Sequence, residues 1–192
     1  HSGRIKRVYL EPGRVKPLNE VLEAISEADI IVLGPGSLYT SIIPNLIVDG
    51  IAECLKNSKA EKIYVCNIMT QPGETDGYRV SDHIKAIEEH TYKGIIGYCI
   101  ANTANIPDSY LEKYAMDGAT MVGIDEDVIN SMGVSLIKGN FATIRNNLVR
   151  HDDQKLADVI IDLVAETVLA KDKKRIIDYY YVKDRLRKKQ IG

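Results

Sequence analysis

Apolar and polar positions along this chain repeat with two different periods. Short, nearly continuous apolar runs predict strands at "IKRVYL" (5–10), "DIIVLG" (29–34), "KIYVCN" (62–67) and "GIIGYCIAN" (94–102), with shorter ones at "ATMVGI" and "VSLIKG". Helical spacing appears between them. Leu18, Val21, Leu22, Ile25 and Ala28 share one face of a helix over 18–28. A long helix over 41–58 would bury Ile43, Leu46, Ile47, Ile51 and Leu55, and one over 80–90 turns Val80, Ile84 and Ile87 inward. A helix over 107–118 opens with Pro107 and Asp108 and closes on Gly118, and a last one spans 153–170. The run 29–34 lacks a polar alternate, which predicts a strand buried on both sides. Strand and helix in alternation predict an α/β fold with a mostly parallel sheet covered on both faces. There is no internal repeat, and only "ANIP" near 104–107 interrupts the pattern. The expected organisation is one α/β domain over 1–170 and a tail over 171–192.

In parallel sheets, ligands bind beyond the carboxyl ends of the strands, close to helix amino ends. Two polar loops fall there. The first, Gly34-Pro35-Gly36-Ser37-Leu38-Tyr39-Thr40-Ser41, follows the strand 29–33. Its glycines permit close backbone approach, Ser41 is the expected N-cap, and the helix dipole favours an anion such as phosphate. A well-capped turn with no ligand has the same pattern. The second, "CNIMTQPGETDGYRVSDH" (66–83), is longer than usual for an α/β connection. Asn67, Thr70, Gln71, Gly73, Glu74, Thr75, Asp76, Asp82 and His83 suit a ribose or sugar, a divalent cation or acid–base work. Asp82 also reads as a first-turn carboxylate and His83 as a packed histidine. A third stretch, "RNNLVRHDDQ" (145–154), supplies Arg145, Arg150 and His151; arginine pairs bidentately with phosphate, or with Asp152 or Asp153.

Charge and cysteine content narrow the picture a little. The net charge of −2 hides a tail over 171–192 with nine Lys/Arg and three Asp/Glu, so the first 170 residues carry −8. The tail reads as a solvated terminal helix rather than a nucleic-acid arm. Cys54, Cys66 and Cys99 form no CxxC pair and leave an odd thiol, as expected for a reduced, cytoplasmic protein. No apolar run reaches the length of a membrane span, and no HExxH-type metal spacing or covalent nucleophile motif occurs.

"GPGSLYTSIIPNL", "YVCNIMTQPGETDGY", "VSDH" and "RHD" together resemble the YvcK branch of the CofD-like proteins, bacterial gluconeogenesis or morphogenesis factors. The likeness runs from "RVYLEP" to about residue 165. It implies a Rossmann-like three-layer α/β/α sandwich and binding of UDP-sugars, UDP-N-acetylglucosamine above all. It also implies a role in cell shape and cell-wall precursor synthesis during gluconeogenic growth, through a protein partner. Family members open with a "GGGTG"-type turn and a "DDGGSSG"-type segment. Neither occurs in this sequence, so the likeness covers the C-terminal three-fifths of such a protein, and the sheet edge left open favours a homo-oligomer. The resemblance puts Gly34 to Ser41 at the nucleotide or phosphate site and Tyr114 and Arg150 in contact with the nucleotide sugar. It leaves the role of Asn67, Thr70 and Gln71 to Thr75 less defined. The resemblance fixes no cofactor and allows Mg2+ as the companion of a nucleotide diphosphate ligand. A non-catalytic sensor is favoured. The alternative is a CofD-type 2-phospho-L-lactate transferase acting on a deazaflavin precursor. That subfamily carries a "GPSN"-type loop where Gly34-Pro35-Gly36-Ser37 stands here.

Overall fold

The computed structural model describes residues 3–167 together with 177, 180 and 181. Internal contacts divide the chain into two units, His1–Asp152 and Asp153–Gly192. In the first unit, α1 (Asn19–Glu27) precedes β1 (Ile30–Leu33). A wide helical turn, Leu38–Ile42, runs directly into α2 (Ile43–Leu46), followed by α3 (Ile51–Asn57), β2 (Glu61–Val65) and α4 (Val80–His90). Then come β3 (Tyr98–Asn102), α5 (Asp108–Met116), α6 (Glu126–Ser131), β4 (Ser135–Gly139), β5 (Ala142–Arg145) and β6 (Leu148–His151). The second unit contributes α7 (Asp153–Thr167). The basic tail lies outside the described residues except for Ile177, Tyr180 and Tyr181.

The first four strands form one parallel sheet in the order β1-β2-β3-β4, flanked by helices, the architecture that the strand–helix alternation predicts. Register places Leu33, Tyr64, Cys99 and Leu136 in one row across it. That row meets the main core, where Ile43, Ile84, Ile87 and Ile129 are fully enclosed. A sheet that grows in one direction through right-handed crossovers sends its crossover helices to the same face. Accordingly α2, α4 and α6 pack as neighbours, with α1 beside α3. Burial rather than intrinsic propensity holds this layer, since Val80, Ile84 and Ile87 are each at most 1% exposed.

Several expectations are corrected. The run 5–10 is not a strand. Among the described residues no strand pairs with it, and Val8 N–H donates instead to His90 Nε2 at 3.0 Å. Arg4 stands 3.4 Å from Asp82 and 5.0 Å over the Tyr78 ring. β1 is an edge strand, which leaves Val32 38% exposed instead of buried. The long helix over 41–58 breaks into two pieces at 75°. The first piece ends at Leu46, and Gly50, at φ +83 in the left-handed region, is the residue from which the next helix starts. Residues 119–124 form only isolated bridges, Met69 to Met121 and Arg79 to Gly123, because they pair with a loop. Residues 142–151, for which the pattern predicts no element, are an antiparallel hairpin turned by Asn146 and Asn147, both at positive φ. Among the described residues no single helix is long and apolar enough to cross a membrane.

Candidate functional site

The first loop leaves β1 through Gly34, at φ +91. A Cβ there would lie 3.0 Å from the Val65 carbonyl oxygen and 3.3 Å from Ile42 Cδ1, and one on Gly36 would lie 3.3 Å from Ser41 Cβ. Both glycines are therefore demanded by the neighbouring strand and the following turn. Leu38 is wholly buried, while Pro35, Thr40 and Ser41 are exposed. The cap is Ser37, not Ser41. Ser37 Oγ accepts from Thr40 N–H at 3.4 Å, and its carbonyl accepts from Ser41 and Ile42 N–H. Ser41 sits too far along the turn to cap it. The N–H groups of Gly36, Ser37, Leu38 and Tyr39 donate to no partner among the described residues, the usual state of a helix amino end.

The second loop is closed by its own hydroxyls. Thr75 Oγ1 accepts from Gln71 N–H at 2.8 Å, and Thr75 N–H returns to the Gln71 carbonyl at 2.9 Å. Thr70 exchanges bonds with Thr120 in the same way, at 2.7 and 2.8 Å. Both threonines are buried and hold the shape of the loop. Gly73 N–H donates to Asp76 Oδ2 at 2.8 Å. Asn67 and Gln71 remain half-buried, within 3.5 Å of one another. Asp82 is the first-turn carboxylate, accepting from Arg79 N–H at 2.9 Å. His83 is packed, its Nδ1 2.9 Å from the Tyr64 hydroxyl and its Nε2 buried without a partner. Burial pushes its pKa down to about 4, against the opposing pull of Asp82.

One side-chain contact joins the two loops at their mouths: Ser37 Oγ donates to Glu74 Oε2 at 2.7 Å. At their roots the Tyr39 and Tyr78 hydroxyls meet at 2.8 Å, deep in the core. The carboxylate changes the electrostatics of the turn. Two unit charges 4 Å apart near a protein surface interact by about 4 kcal/mol, whereas a charge at a helix end gains about 0.3 to 1 kcal/mol. Near Ser37 the carboxylate outweighs the dipole, and only the bare N–H row keeps its affinity for anions.

Tyr114 and Arg150 lie apart from this contact. The Tyr114 hydroxyl accepts from Val149 N–H at 3.1 Å, and its ring packs against the cluster of Ile68, Ala104, Ile106 and Val149. Arg150 is exposed on β6, on the strand face opposite to His151, whose Nε2 lies 3.1 Å from the Cys66 carbonyl. Burial lowers the His151 pKa, partly offset by that bond. No described contact ties Arg150 or Tyr114 to Ser37 or Glu74. Two residues at the same sheet edge escaped the sequence reading. Asn102 Oδ1 accepts from Ala104 N–H (3.2 Å) and Phe141 N–H (3.0 Å), which fixes its amide and leaves Nδ2 buried and unpartnered. Asp125 accepts the Ser81 N–H at 3.1 Å and its hydroxyl at 2.5 Å. The signal for Asn102 was available, since Cys66-Asn67 and Ala101-Asn102 both place asparagine directly after an apolar strand.

Among the described residues no three His, Cys, Asp or Glu side chains converge. A cavity of about 570 Å³, lined in part by Arg7, Tyr9, Ile47, Glu89 and His90, shares no residue with the two loops. Over residues 1–142 the chain matches the family model described as 2-phospho-L-lactate transferase CofD. The chain belongs to the CofD family. It is 45% identical over 166 residues to the gluconeogenesis factor of Bacillus subtilis, covering 86% of this chain and 52% of that protein. The gluconeogenesis factor of Halalkalibacterium halodurans is 46% identical over 159 residues, covering 83% and 49%. These relatives place the chain in the YvcK-type branch of the CofD family. A crystal structure of a Bacillus halodurans protein superposes with a TM-score of 0.80 at 47% identity, covering 82% of this chain and 51% of that one. The chain spans about half the length of the curated relatives it matches.

Proposed function

We propose that this CofD-family chain carries the loop side of a nucleotide-sugar site, of the UDP-N-acetylglucosamine type. It belongs to a regulator tied to gluconeogenic growth, cell-wall synthesis and cell shape. The observation that supports this most directly is the Ser37–Glu74 bond beside the bare N–H groups of Gly36 to Tyr39. It offers anion donors and a hydroxyl acceptor side by side at the carboxyl edge of a parallel sheet, as a sugar diphosphate requires. In this reading Arg150 meets the diphosphate and Tyr114, its hydroxyl anchored on Val149, stacks on the base. The names of the relatives supply the link to gluconeogenesis. A binding role also agrees with the thiols: burial pushes Cys66 up to about 12 and Cys99 well above its ordinary value, so neither is a nucleophilic thiolate. The second reading, a phospholactate-type transferase, has the description of the family model in its favour.

Thermal unfolding with UDP-N-acetylglucosamine, UDP and a deazaflavin tests the choice. Ligand at a hundred times its dissociation constant adds about 2.7 kcal/mol. Stabilisation by the UDP-sugar and not by the deazaflavin is expected, and Arg150→Ala should weaken it. Stabilisation by the deazaflavin alone selects the transferase.

A further inference from the structure

Resting on the nucleotide-sugar reading, we infer that Glu74 makes this site prefer a diphosphate that carries a sugar over the free nucleoside diphosphate. The hydrogen-bond inventory at Ser37 is complete. Its one proton goes to Glu74 Oε2 at 2.7 Å, and its oxygen takes the Thr40 hydroxyl at 2.6 Å and the Thr40 N–H at 3.4 Å. The Ser37 hydroxyl therefore has no donor left for phosphate. What it does instead is hold one oxygen of a half-buried carboxylate beside the N–H groups of Gly36 to Tyr39. Glu74 is fixed from its backbone as well, with its N–H on the Gln71 carbonyl at 3.0 Å. Its second oxygen, Oε1, accepts no hydrogen bond among the described residues.

Such a carboxylate does two things to a ligand lying on the N–H row. It accepts a hydroxyl from a neutral group attached to the phosphate, a charge-assisted bond that a site lacking the acceptor does not provide. It also repels added negative charge. A terminal phosphate carries between about −1.5 and −2 near neutral pH, against one charge for an esterified phosphate. Both effects favour the sugar ester and oppose the free diphosphate. Glutamine keeps the shape of the side chain and removes the charge.

Isothermal titration of the wild-type chain, Glu74→Gln and Ser37→Ala with UDP-N-acetylglucosamine and with UDP reads this directly. The wild type should bind the sugar ester more tightly. Glu74→Gln should move the affinity ratio about tenfold toward UDP, by weakening the ester and strengthening UDP. Ser37→Ala, which frees the carboxylate without removing it, should move the ratio the same way by less, and it carries the test if Glu74→Gln does not fold. A ratio that stays put in both variants, or moves away from UDP, overturns the inference and leaves the nucleotide-sugar site standing. A wild type that binds neither ligand removes that site and this inference together.

Discussion

The two loops at the carboxyl edge do similar work by different means. The turn at Gly34 is held by shape, with bare backbone wedged against the Val65 carbonyl and the Ile42 side chain. The connection from Thr70 and the helix it enters are held by hydrogen bonds inside the protein. Thr70, Thr75, Ser81 and His83, all buried, fall within that one stretch, whereas the first turn contributes the buried Tyr39 hydroxyl, which bonds to Tyr78. A loop fixed by shape tolerates changes of pH and fails on the addition of a methyl group. A loop fixed by buried polar groups behaves in the opposite way. Gln71 and Glu74, both half-buried, keep side-chain polar atoms that neither device consumes.

Four measurements would break or sharpen this contrast. Gly34→Ala combines a left-handed backbone with a 3.0 Å approach to a carbonyl oxygen, and should cost about 4 kcal/mol in chemical denaturation. A loss below about 1 kcal/mol would mean that the turn is not held by shape. The next largest effect is on pH. His83 titrates at about 4 in the folded chain and near 6.5 in the unfolded one, so the unfolded chain takes up the proton first as pH falls. Stability should drop by about 3 kcal/mol between pH 6.5 and 4, and His83→Gln should flatten that slope. Thr75→Val leaves the Gln71 N–H unpaired beside a buried methyl group and should cost about 2 kcal/mol. The exposed Asp76→Ala should cost about 1 kcal/mol or less, through the Gly73 N–H.

The sequence made some elements legible and hid others for physical reasons. The helix over 80–90 was read to the residue, because Val80, Ile84 and Ile87 mark one stripe and Asp82 marks the first turn. The helix over 41–58 looks continuous because its apolar period runs through Gly50 unbroken, and the period does not report the positive φ that this glycine adopts. Lys6, Arg7 and their apolar neighbours looked like a strand, yet a strand exists only beside a partner. Asn146-Asn147 is a weaker hairpin signal than Asn-Gly, and the pattern predicts no hairpin there. At the site, the pattern located both loops and the motifs named the family. It could not show that Ser37 and not Ser41 is the cap, nor that Ser37 reaches Glu74 across 37 residues, since tertiary packing creates that bond.

Below those loops, the phenols of Tyr39 and Tyr78 touch edge-on, with ring centroids 6.3 Å apart. The chain contains no tryptophan. Its near-ultraviolet optical activity is therefore governed by tyrosine, and this buried pair is an intrinsic chromophore that joins the two loops. Anything that shifts one loop against the other should alter the dichroic band near 280 nm without any attached label.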